Sequence, residues 1–130
     1  MNVTSLDSNV VLRLILNDVP EQSAKAAEFV SHSPCYVTDA VVAECVFVLE
    51  KVYKLDRKFV KNFMAILFEL NTVTFSETLI NEAFDLYVAL GSLSFIDCYS
   101  VAEATQNANQ LITFDRAILK KCAPTAKEPI

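Results

Sequence analysis

Four acidic side chains, Asp7, Glu44, Asp97 and Asp115, stand where chemistry is possible. Asp7 directly follows the β-type run Val3 to Leu6, and Asp115 follows the run Leu111 to Thr113 after only Phe114. In an open parallel sheet, ligands bind beyond the carboxyl ends of the strands, where both residues would lie. Asp97 falls in the first turn of a helix opened by Ser94, and Glu44 about a turn and a half into an earlier helix. The three aspartates also suit plain helix caps, Asp97 as the last member of a Ser-x-x-Asp capping box. Glu44 has Ala40, Val41, Phe47 and Val48 as its neighbours one turn away. That spacing predicts a buried face, on which a carboxylate needs a metal, a cation or a strong donor.

Gathering such acids requires a compensating charge. Two carboxylates about 4 Å apart repel by roughly 4 kcal/mol at an effective dielectric near 20. An oxygen-only donor set points to Mg²⁺ or Mn²⁺ and not to zinc. The single His32 and four scattered cysteines offer no rival set. Such an ion polarises a phosphoryl oxygen and acidifies a water, while a carboxylate outside its coordination orients that water. The sequence holds no Gly-x-Ser-x-Gly, no Gly-rich phosphate loop and no Cys–His couple. The chemistry expected is hydrolysis without a side-chain nucleophile.

The elements that would position these acids alternate. Strand Val3 to Leu6 leads into a helix from Ser8 to Asn17, and Pro20 opens a second helix to about Val30. Strand Cys35 to Val37 precedes a long helix capped by Thr38 or Asp39 and ending near Tyr53. A helix follows from about Arg57 to Leu70, then strand Val73 to Phe75. Ser76 caps a helix to about Leu90, with Gly91 in the place of a C-terminal cap. The helix from Ser94 ends near Asn107. Strand Leu111 to Thr113 and a short helix Arg116 to Cys122 complete the pattern, and the tail from Ala123 reads as irregular. This order predicts an α/β fold, a parallel sheet with helices on both faces, in one domain over 1–130.

Composition narrows the classes further. Of 130 residues, 53% are apolar, Gly occurs once and Pro four times, so low-complexity disorder is excluded. A net charge of -5 argues against a protein held to nucleic acid by bulk charge alone. Three of the four cysteines lie in apolar segments and read as reduced, buried thiols, which suits the cytoplasm. No signal peptide is visible, and the most apolar run, Val41 to Leu49, is too short to span a membrane. The expectation is a soluble, cytoplasmic protein.

The stretches Leu6-Asp7-Ser8-Asn9, Val42-Ala43-Glu44-Cys45-Val46-Phe47-Val48-Leu49, Ser94-Phe95-Ile96-Asp97 and Leu111-Ile112-Thr113-Phe114-Asp115-Arg116, in that order, resemble the PIN-domain family. The likeness is narrower to the VapC-type toxins of toxin–antitoxin pairs, and covers about Val3 to Lys121. It implies a three-layer α/β/α sandwich with a central, mainly parallel sheet, and a Mg²⁺- or Mn²⁺-dependent endoribonuclease. Asp7, Glu44, Asp97 and Asp115 would form the acidic quartet, Asn9 would support the first acid, and Thr113 would hydrogen-bond within the site. Local backbone capping is the alternative for Asn9 and Thr113. The resemblance also implies a homodimer and a small antitoxin partner. One departure stands out: the tail after Lys121 offers no evident final strand.

RNA phosphates have two candidate contacts. Lys51, Lys54, Arg57, Lys58 and Lys61 form one basic group, with a solvated helix surface as the alternative; Arg116, Lys120 and Lys121 form another, and Arg116 adjoins Asp115. A haloacid-dehalogenase-like enzyme needs Asp-x-Asp, but Asn9 holds the third position. A receiver domain needs paired acids and a late lysine, which are absent. A PIN-like module that binds RNA or protein without cutting is the remaining alternative.

Overall fold

The computed structural model describes residues 2–130. Among them, parallel strands alternate with helices in two compact units, one ending at Ser76 and the other running from Glu77 to Ile130. The fold is a mostly helical α/β arrangement in which every described strand pair is parallel.

The first unit runs β1 (Thr4–Ser5), α1 (Ser8–Leu16), α2 (Pro20–His32), β2 (Cys35–Tyr36), α3 (Asp39–Lys51), α4 (Arg57–Phe68) and β3 (Val73–Thr74). Its sheet has the order β1-β2-β3, all parallel, with Thr4 opposite Cys35 and Cys35 opposite Val73. Backbone bonds extend this short ladder: Leu6 N–H donates to Tyr36 O at 3.0 Å, and Val37 N–H to Thr74 O at 3.0 Å. Leu6 is thus fixed to the sheet, and Asp7 emerges at the carboxyl end of β1. Helix α1 packs against α2, α3 and α4. Val11, Leu12 and Ile15 are buried on it, as are Val42, Cys45, Val46 and Leu49 on α3 and Val60, Met64 and Leu67 on α4.

The second unit runs α5 (Glu77–Ala89), α6 (Phe95–Gln106), β4 (Leu111–Ile112), α7 (Arg116–Cys122) and β5 (Ala126–Lys127). Helices α5 and α6 pack on each other. Phe84, Tyr87 and Phe95 form an aromatic cluster there, with Phe84 and Phe95 centroids 4.8 Å apart. Ser94 and Asp97 form the expected capping box: Asp97 N–H donates to Ser94 Oγ at 3.1 Å, and Ser94 N–H to Asp97 Oδ2 at 3.3 Å.

Two expectations are corrected. The tail is not irregular, because Ala126–Lys127 pairs in parallel with Leu111–Ile112. Two residues carry too little pattern to announce a strand; the pairing supplies it. All described strands pair in parallel, as expected, in a three-stranded and a two-stranded set. Finally, Gly91 has no positive φ; that backbone state falls to Asn17, Lys54 and Ala108.

Candidate acidic site

Asp7 is the N-cap of α1, and its Oδ1 accepts from Ser8 N–H at 2.8 Å. One carboxylate oxygen is thereby held at the end of β1, while the residue stays exposed. Asn9, two residues on in α1, is exposed as well.

Glu44 is on α3, and its setting overturns the buried-face expectation. The buried arc of α3 is Val42, Cys45, Val46 and Leu49, and Glu44 is exposed together with Ala40 and Phe47. The segment Val41 to Leu49 is apolar in nearly every direction around the helix, so periodicity could not say which arc turns inward. The argument from a buried, unpartnered carboxylate therefore falls.

Asp7 and Glu44 are nevertheless neighbours of one group, Cys45. This thiol is buried, and its Sγ lies 4.0 Å from Ser8 O at the start of α1. Its pKa is pushed up to about 12, first by burial and then by the negative charges of Glu44 and Asp7. A thiolate there would sit in low dielectric beside two carboxylates. Glu44 precedes Cys45 in the chain, and the packing of α1 on α3 brings Asp7 within electrostatic reach of the same thiol.

Sequence reasoning passed over the cleft beside Asp7. A cavity of about 640 Å³, lined mainly by apolar groups, includes Asp7, Asn9, Arg13, Gln22, Lys25 and Phe29. Arg13 is held by Asp18 at 3.3 Å and donates to the Tyr53 hydroxyl at 3.3 Å. The Asn9–Arg13 spacing of one helical turn is the signal that would have found it.

In the second unit, Asp97 is half-buried in the capping box. The buried thiol of Cys122, on α7, is raised by burial and then by the charge of Asp97, which places that acid within electrostatic reach of α7. Asp115 is the N-cap of α7: its Oδ1 accepts from Ile118 N–H at 3.0 Å. Its own N–H donates to Thr113 Oγ1 at 2.9 Å, so Thr113 shapes the turn that presents Asp115. Arg116 is 89% exposed in its side chain and pairs with Glu128 at 3.7 Å. Each aspartate therefore has the capping role that its sequence position allows. Two of the four acids belong to each unit, exposed or half-exposed, and the described residues gather no group of three or more His, Cys, Asp or Glu side chains to hold a metal.

The PIN domain family model matches residues 5–123. The chain belongs to the PIN domain family. PIN domains are generally nucleases and generally use divalent metal ions. No curated protein matches the chain. Among solved structures, a toxin–antitoxin complex from Klebsiella pneumoniae is similar at 14% identity, covering 98% of each chain with a TM-score of 0.37. The donor chemistry of this PIN domain suits such an ion: Asp7, Glu44, Asp97 and Asp115 offer carboxylate oxygens alone, the ligands of hard cations. All four cysteines are buried, free thiols, and the raised pKa values keep Cys45 and Cys122 protonated and poor metal ligands. Among the described residues, no helix is long and apolar enough to cross a membrane.

Proposed function

We propose that this protein is a Mg²⁺- or Mn²⁺-dependent endoribonuclease, the toxin of a toxin–antitoxin pair, acting in the cytoplasm as one catalytic domain over 1–130. The observation that carries the reading is the position of Asp7, exposed at the carboxyl end of β1 with Oδ1 bonded to Ser8 N–H, in a family of metal-using nucleases.

Asp7, Glu44, Asp97 and Asp115 are the carboxylates that would hold the cation, which would supply Lewis-acid polarisation of a phosphoryl oxygen and acidify a water. Capping bonds to Ser8, Ser94 and Ile118 pre-set the three aspartates, so little ordering is left for the moment of reaction. A carboxylate oxygen that the ion left free would orient the attacking water. Thr113 holds the turn before Asp115, Asn9 supports Asp7 from the next turn of α1, and exposed Arg116 takes an RNA phosphate. The partner that silences the enzyme is an antitoxin, and two copies of the chain associate.

The test is cleavage of structured RNA by the purified protein with Mg²⁺ or Mn²⁺. Asp97→Asn is expected to abolish cleavage with the helical circular dichroism unchanged. Equal activity in that variant would remove Asp97 from the site. RNA binding with no cleavage and no calorimetric uptake of cation would leave a binding module in place of an enzyme.

A further inference from the structure

Arg13, Asp18 and Tyr53 close a ring of polar contacts. Arg13 Nη1 lies 3.3 Å from Asp18 Oδ1, and Arg13 Nη2 donates to the Tyr53 hydroxyl at 3.3 Å. The same hydroxyl donates to Asp18 Oδ2 at 3.0 Å, so both oxygens of the carboxylate are engaged. Backbone turns deliver the three side chains. Asn17, the C-cap of α1, takes the left-handed conformation with φ 51°, and the chain folds Asp18 back to Arg13. Tyr53 follows α3, and its N–H donates to Val48 O at 3.3 Å, which keeps it against the end of that helix. The ring therefore joins α1 and the turn after it to the end of α3. Arg13 and Tyr53 are half-buried. A lone surface ion pair adds little to stability, whereas a closed set of directed bonds fixes an orientation.

We propose that this ring is a clasp that sets the tilt of α1 on α3, and with it the spacing of Asp7 and Glu44. The remaining contacts of α1 leave that tilt loose. Val11, Leu12 and Ile15 are buried and apolar, and apolar contact has no direction. Packed helices of one class scatter by about 15–20° in crossing angle. Asp7 moves with α1, because its Oδ1 is bonded to Ser8 N–H, and Glu44 moves with α3. The bond from Leu6 N–H to Tyr36 O anchors the chain to the sheet, so a loosened α1 swings about that point. Asp7 Cα stands about 3.8 Å from Leu6 Cα, and its carboxylate stands farther out. A swing of about 10° moves that carboxylate by roughly 0.7 Å or more.

Cation ligands keep their distances within about 0.2 Å, and a misplacement of about 1 Å costs about a hundredfold in rate. Arg13, Asp18 and Tyr53 are thus positioning residues that act through α1 on Asp7. Their effect on a cation and on cleavage rests on the nuclease reading, whereas their effect on the placement of α1 does not.

Tyr53→Phe tests the clasp, because it cuts the link to α3 and leaves the Arg13–Asp18 pair in place. Asp56→Ala is the control. It removes the N-cap of α4, where Asp56 Oδ1 accepts from Phe59 N–H at 3.0 Å, and so lowers stability without touching the ring. In Tyr53→Phe the amide ¹H and ¹⁵N shifts of Ser8 and Asn9, at the opposite end of α1, are expected to move. Calorimetric affinity for Mn²⁺ is expected to fall by about tenfold, and the cleavage rate at saturating RNA by about tenfold or more. Asp56→Ala is expected to lower the denaturation midpoint at least as far, with those shifts, the Mn²⁺ affinity and the rate all kept. Asp18→Asn retains an acceptor for the Tyr53 hydroxyl and is expected to lose less than Asp18→Ala. Unmoved Ser8 and Asn9 shifts in a Tyr53→Phe variant of an active enzyme overturn the clasp and leave the nuclease reading standing. Moved shifts with unchanged Mn²⁺ affinity and rate overturn it as well, as does an equal loss of both in Asp56→Ala. Moved shifts beside an unaltered protein that takes up no Mn²⁺ and cuts no RNA support the clasp on α1 and sink the nuclease reading.

Discussion

The two acids of the first unit and the two of the second are placed by different means. Asp97 and Asp115 are both helix caps, each bonding the backbone that it starts. Their positions are products of local folding, and the local fold depends on them in turn. Asp7 shares that character, but Glu44 does not: it projects from the exposed face of α3, whose orientation is set by packing against α1 and α4. An acid that also caps is ordered without a ligand, at the cost that its loss harms two things at once. An acid placed by tertiary packing is free of structural duty, so its loss harms only what it acts on.

The largest effects separate those cases. Neutralising an acid that stabilises reacting charge is expected to lower cleavage by about a hundredfold or more, whether by Glu44→Gln, Asp97→Asn or Asp115→Asn. Stability divides them. Asn caps a helix about as well as Asp, whereas Ala in its place costs about 1 kcal/mol. Asp115→Asn is therefore expected to be inactive with an unchanged denaturation midpoint, and Asp115→Ala to be inactive and less stable. Glu44→Gln and Glu44→Ala are both expected to hold the original midpoint. A destabilised Glu44→Ala variant would erase the contrast.

A smaller effect sharpens it. With EDTA present, single-cysteine variants allow the thiolate absorbance of Cys45 or Cys122 to be titrated. Asp7→Asn and Glu44→Gln are each expected to lower the Cys45 value from about 12, because each removes a charge that opposes the thiolate. Burial, the larger cause, remains. For Cys122, Asp97→Asn is expected to lower the value. A Cys45 titration that ignores Asp7→Asn would place Asp7 beyond electrostatic reach of that thiol. The sign also fixes a stability window. The folded value of Cys45 lies above the ordinary 9.0, so its contribution is fully present below pH 9 and is lost as pH rises toward 12.

What the sequence disclosed follows the same division. Caps are local, so Asp7, Ser94 with Asp97, and Asp115 were legible from their neighbours alone, as were the starts of α1, α2, α4 and α7. Features decided by distant partners were not. The side of α3 that turns inward depends on where α1 and α4 lie, because the helix is apolar around most of its surface. Strand β5 exists by pairing with β4, and the division of the strands into two sets lies in hydrogen bonds between segments far apart in the chain.

The end of α6 shows a local rule that composition conceals, and gives the smallest expected effect. Asn109 N–H donates to Ala104 O at 2.8 Å, and Ala108 N–H to Thr105 O at 3.2 Å, the paired bonds of a Schellman motif. The residue at its left-handed position is Ala108, with φ 55°, while the lone glycine, Gly91, stands elsewhere with no such need. A Cβ in the left-handed region crowds the following carbonyl at a cost of roughly 1–2 kcal/mol. Replacing Ala108 by Gly removes that crowding but gives the unfolded chain more freedom, worth about 0.4–1 kcal/mol in the opposite direction. Ala108→Gly is therefore expected to raise stability by roughly 0.5–1 kcal/mol, read as a higher urea midpoint with an unchanged slope. Cleavage is expected to be unaltered, because Ala108 is none of the four acids and carries no reactive group. A lower midpoint would mean that the left-handed turn at Ala108 carries no strain, and that the second unit is as relaxed at its helix ends as the capped starts of the first.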